Sequence, residues 1–153
     1  MKNFIVFTTV VLSGFSALAG IPSDLQDLIP SGKNTASLSG KTQDNKPCQV
    51  ELSASNTSFS AALSVLKSNG DLDSRRSGAF QIGFGYTLQS ISSQNNIVSA
   101  VSFHKAEEQY SSDARTTLHV AKNQGAIQAV QVIVEEKGFF KFKTVIKETC
   151  SIK

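Results

Sequence analysis

From about residue 36 onward, apolar and polar residues alternate with a period of two, the signature of strands that bury one face. Cys48, Val50 and Leu52 alternate with Gln49, Glu51 and Ser53, and Phe59, Ala61, Leu63 and Val65 alternate with Ser58, Ser60 and Ser64. Phe80, Ile82, Phe84, Tyr86 and Leu88 make a third apolar face against Gln81, Gly83, Gly85 and Thr87, and Ile97, Val101 and Phe103 make a fourth. Leu118 and Val120 follow, then Val130, Val132 and Val134, and finally Phe140, Phe142, Thr144 and Ile146, a face that continues to Cys150. Turn chemistry separates the runs: Asn69-Gly70, the polar stretch 92–96, Asn123-Gln124-Gly125 and Glu136-Lys137-Gly138. With a short strand over 36–39, the pattern predicts about eight strands, the last three as an antiparallel meander. The expected fold is all-β, a small antiparallel barrel or sandwich whose curl removes exposed edges.

The preceding segment reads differently. Ser23-Asp24-Leu25-Gln26 has the form of a capping box, Leu25, Leu28 and Ile29 share one helical face, and Pro30 with Gly32 ends the element. So short a helix is unstable alone and needs a surface, here the open end of the sheet. Residues 20–35 are therefore an N-terminal segment, and 36–153 a single β-domain. Ahead of both, Lys2, an apolar run from Phe4 to Phe15 and the small-x-small triplet Ala17-Leu18-Ala19 read as a cleavable export signal over 1–19, cut after Ala19. The run is too short to cross a bilayer as a helix, and the strands lack the aromatic girdles of a membrane barrel. The chain is expected to be secreted or periplasmic, without stable membrane insertion.

Export changes the reading of the cysteines. Cys48 and Cys150 are the only two, and in an oxidising compartment they are expected to form one disulfide that closes the fold. A metal site would need histidines near them, and His104 and His119 both fall on predicted polar faces. The formal charge of +3, about +2 without Lys2, comes from scattered lysines. Lys141, Lys143 and Lys147 have the spacing of a solvated strand face, without the Arg and aromatic partners of a nucleic-acid footprint.

Catalytic chemistry is not visible. There is no local nucleophile signature, and Glu107 and Glu108 would point apart on an extended loop. Asn69, Asp71 and Asp73 open like a calcium loop, but the sixth position is Ser74 and the twelfth Phe80, and Arg75 and Arg76 follow. No enzyme activity, cofactor or metal is expected. Two long loops remain, 68–78 and 105–114, and long loops on a rigid scaffold are where binding tends to reside. The leading expectation is a monomeric protein-interaction or inhibitor module contacting its protein partner through Arg75, Arg76 and Tyr110, since Arg and Tyr are enriched at binding hot spots. The alternative is a carrier whose small apolar ligand lies among inward-pointing Phe80, Phe84, Phe103, Phe140 and Phe142.

Overall fold

The computed structural model describes residues 20–106 and 112–153. The expected export signal, Glu107, Glu108 and Tyr110 lie outside the described residues. One short helix, α1 (Ser23–Gln26), precedes nine strands: β1 (Thr35–Lys41), β2 (Pro47–Ala54), β3 (Phe59–Val65), β4 (Gly78–Ile82), β5 (Tyr86–Gln94), β6 (Ile97–His104), β7 (Ala114–Asn123), β8 (Ala126–Lys137) and β9 (Phe142–Ile152). They form one antiparallel sheet in the order β4-β3-β2-β1-β9-β8-β7-β6-β5.

The sheet bends back on itself without closing. β1 and β9 share only the pairs Gly40↔Ile152 and Lys41↔Ser151, and the edge strands β4 and β5 meet at a single bridge, Gly83↔Tyr86. Two half-sheets, β1–β4 and β5–β9, therefore face each other, with β4 lying over β6, β7 and β8. This corrects the expected closed barrel or sandwich of about eight strands on two points: the sheet is open, and it has nine strands. The extra strand arises at Gly83-Phe84-Gly85, where φ is 84°, 52° and 86°. Two successive residues at positive φ make the tight hairpin turn that glycine favours. One expected strand is thereby split into β4 and β5.

The interior is built from the faces that the alternation predicts for β2, β3, β4, β7 and β8. Val50, Leu52, Phe59, Leu63, Val65, Phe80, Leu118, Val120, Val130 and Val132 are all fully buried, and Phe59 meets Phe80 edge to face at 6.3 Å. The cysteines are disulfide-bonded as expected, linking β2 to β9 across the end of β1 with both residues buried. The expected capping box does not form. Pro22 is the N-cap, its carbonyl accepts from the Leu25 and Gln26 amides, and the Gln26 side-chain amide donates instead to the Ile21 carbonyl at 2.6 Å. Ile21, Leu25, Leu28 and Ile29 nevertheless join the core, so the N-terminal segment seals that side of the interior.

Four of the five phenylalanines expected inside lie elsewhere; only Phe80 is in the core. β6 turns Val98, Ala100 and Ser102 inward rather than Ile97, Val101 and Phe103. The Ser102 hydroxyl, buried on that inward face, is satisfied by the Thr116 hydroxyl at 2.7 Å. On β9 a bulge opposite Val134 and Glu135 shifts the register, which sends Phe142 to the outer face while Ile146 stays inward. Phe84 and Phe140 sit in turns.

Candidate functional site

Strand pairing places three connections side by side at one end of the β5–β9 half-sheet. Tyr86, His104, Ala114, Glu136 and Lys143 are paired in succession and form one transverse row. Just beyond that row lie the β4–β5 turn with Phe84 at one side and the β8–β9 turn with Phe139 and Phe140 at the other, with Ala106 and Asp113, the described ends of the β6–β7 connection, between them. These three phenylalanines are 88 %, 98 % and 97 % exposed, the most exposed large apolar side chains among the described residues. Phe139 and Phe140 follow Gly138 at the apex of their hairpin and touch each other, with ring centroids 5.7 Å apart. Monomeric surfaces scatter single apolar residues, whereas exposed aromatic residues that touch each other, as Phe139 and Phe140 do, are typical of contact sites.

The row behind the aromatic tips is cross-braced. Asp113 accepts from the Ala106 amide at 3.1 Å and pairs with Lys137 at 3.1 Å, so one carboxylate ties both arms of the β6–β7 loop to β8. The Ala106 amide first, and then Lys137, hold the Asp113 carboxyl below the usual carboxylate range. On the outer face, Arg115 donates through Nε to Glu135 at 2.8 Å and lies 4.8 Å from the Phe142 ring centre, while Phe103 meets Phe142 edge to face. Glu135 raises the Arg115 pKa. At the third turn, His104 stacks on Tyr86 at 4.6 Å. Its Nδ1 is 3.1 Å from the Gly85 carbonyl, which can only accept, so Nδ1 carries the proton.

The two expected arginines are not part of this end. Arg76 is engaged inside the molecule: Nε donates to Glu148 at 2.6 Å, and Nη1 and Nη2 both reach Asp44, at 2.7 and 3.1 Å. This clasp ties the β3–β4 loop to the β1–β2 turn and to β9. Arg76 and then Thr42 hold the Asp44 carboxyl far below the usual range, and the same contacts raise the Arg76 pKa. Arg75 is exposed beside it. Glu148 lies five residues along β9 from Lys143, about 16 Å from the aromatic end. In the calcium-like stretch, Asn69 and Asp71 bond each other and Asp73 faces Lys46 at 3.6 Å.

Alternation alone missed Phe139 and misplaced Phe84 and Phe140. The signals were present: glycines flanking Phe84, and a Phe-Phe doublet after Gly138, which cannot put both rings on one face of a strand. No protein-family model, curated protein or solved structure matches the chain.

Proposed function

We propose that this is an exported, non-catalytic binding module that recognises a partner protein through the aromatic tips of the β5–β9 end. The observation that carries the reading is the exposure of Phe139 and Phe140, paired at one hairpin apex, and of Phe84 on the turn at the far side of the same end of the half-sheet. Rings held on short turns add contact area with few side-chain torsions to order on binding. The cross-braced row behind them limits what the backbone must give up. Arg75 and Tyr110 are secondary candidates. The interior supports the carrier reading less well, because the ring at its centre, Phe80, is packed edge to face on Phe59. The outer face of β2, with Gln49, Glu51 and Ser53, is polar, the reverse of a membrane barrel's.

The test is a photo-crosslinking residue at position 140, in protein exported by its own source, with a second probe on the exposed Gln89 as control. The reading expects a discrete protein adduct at 140 only. The purified partner should bind the triple variant Phe84→Ser/Phe139→Ser/Phe140→Ser about 100-fold more weakly, as the removal of two or three aromatic anchors implies. Lipid adducts, or the same adducts from both probes, would overturn the assignment of a protein partner.

A further inference from the structure

The hairpin tip that carries Phe139 and Phe140 also carries charge. Residues 137–143 read Lys-Gly-Phe-Phe-Lys-Phe-Lys, three lysines and no acid. The Gly138 amide donates to the Lys141 carbonyl at 2.9 Å, so the two rings sit on the bend between them and Lys141 stands on the returning leg. Lys141 thus belongs to the turn and not to the strand face expected for it, because β9 begins one residue later. Gly138 makes room for a further lysine. The Lys143 stem runs over it, with Cε 3.6 Å and Cδ 3.8 Å from where a Cβ would stand.

The three lysines are not equivalent. Lys137 is taken up by Asp113 at 3.1 Å, and the nearby Arg115 and Glu135 neutralise each other. Among the described residues, Lys141 and Lys143 make no ion pair, although Glu136 lies opposite Lys143 in the strand register. Both are exposed. Two ammonium groups without a paired counter-charge therefore flank two rings that are almost wholly exposed.

We infer, resting on the aromatic-tip reading, that the partner protein offers an apolar pocket to Phe139 and Phe140 and carries carboxylates on its rim that meet Lys141 and Lys143. In such an arrangement the rings supply the contact area, and the lysines steer encounter and reject basic surfaces. An anionic membrane fits this tip less well. Recognition of that kind uses clusters of roughly 4–8 basic residues. Only two are unpaired here, and a plane of negative charge would also face the exposed Glu136.

The experiment is carbodiimide coupling of the exported protein in its own source, run beside the photo-crosslinking probe at position 140. The reagent takes up one water, becoming a urea, as an amide forms between a lysine amine and a carboxylate in contact with it. Expected is coupling of Lys141 or Lys143 to Asp or Glu side chains of the same protein that position 140 captures. With that protein purified, Lys141→Glu/Lys143→Glu should slow association about tenfold or more at low salt, and the difference should shrink at high salt. Lys141→Arg/Lys143→Arg keeps the charge, so it should recover most of that rate while losing the coupling. A protein adduct at 140 without carboxylate coupling, or equal association of the parent and the charge-reversed protein, overturns the inference and leaves the aromatic-tip reading standing. The absence of any protein adduct at 140 overturns both. Charge reversal that instead releases the protein from phosphatidylserine vesicles assigns the tip to a membrane surface and overturns the inference as well.

Discussion

Replacing Gly40 by Ala sets local preference against packing. In a strand interior, Ala is ordinarily more favourable than Gly by roughly 0.5–1 kcal/mol, because glycine loses more backbone freedom on folding. Gly40 sits at the only place where β1 pairs with β9. A Cβ there would overlap the Ser151 carbonyl oxygen and lie 2.7 Å from its carbonyl carbon. Both are backbone atoms, so no side chain can rotate away. The disulfide holds the flanking strands, since Cys48 is opposite Gly40 on β2 and Cys150 adjoins Ser151 on β9. Relief requires the end of β9 to lift off β1, at the expense of about two backbone hydrogen bonds worth roughly 1 kcal/mol each. Overpacking strain left behind adds about another 1 kcal/mol. Gly40→Ala is therefore expected to lose about 2–3 kcal/mol, a fall of about 1 M or more in the urea midpoint for an m-value near 2 kcal/mol/M. The assay is urea unfolding followed by far-UV circular dichroism with the disulfide intact. In reduced protein the penalty should shrink, because the strands can then separate. An unchanged or raised midpoint would refute the close approach of β1 and β9 and the half-sheet joint built on it.

The other predictions follow from the same architecture. Phe80→Ala, which removes a fully buried ring, should cost about 3–5 kcal/mol in the same urea assay. Phe103→Ala, on the half-buried outer face, should cost clearly less. The paired substitution Cys48→Ala/Cys150→Ala opens a loop with a sequence separation of 102 and should cost about 4–5 kcal/mol on the chain-entropy account, read as a fall in melting temperature. Asp44 and Asp113 have lowered pKa values, so they stabilise the fold above the ordinary Asp value of about 3.9 and lose that contribution as the pH falls below it. Acid unfolding of Asp44→Asn should accordingly show a shallower pH dependence below about pH 4 than the parent, with carboxyl-carbon NMR titration reporting Asp44 and Asp113 directly.

The fold was legible where one face of a strand is buried and the other wet. Val50 and Leu52, Leu63 and Val65, and Leu118 and Val120 alternate cleanly with Ser, Gln, Glu and His, and a one-residue slip would expose the whole set. Legibility failed where that contrast was weak. On β6, Ile97-Val98-Ser99-Ala100-Val101 offers apolar residues in both registers, so alternation does not tell that Val98 and Ala100 are the pair facing inward. On β9 the bulge at Val145 adds one residue, which no period-two count can absorb. Arg76 illustrates the limit for sites. Its partners Asp44 and Glu148 are 32 and 72 residues away in sequence, so a cation that read as free is taken up by the tertiary fold.

The distribution of the phenylalanines is what the proposed binding role rests on. Phe59 and Phe80 fill the centre, and Phe103 and Phe142 cover the outer face beneath Arg115, so these four repay their burial in folding. Phe84, Phe139 and Phe140 contribute almost no burial to the folded chain, although all three rings lie at the same end of the β5–β9 half-sheet. Their turns do not need them either: the β4–β5 turn is set by its glycines, and a polar residue in place of Phe84 would tolerate its positive φ better. Local conformation and core packing thus both fail to account for these rings. On the proposed reading, the gain they bring is realised when a partner covers them. Because Asp113 and the Arg115–Glu135 pair already brace the strands behind, little ordering free energy is subtracted from that gain. An unbraced loop carrying the same rings would bind more weakly for the same buried area, which makes the polar brace as much a part of the site as the aromatic tips.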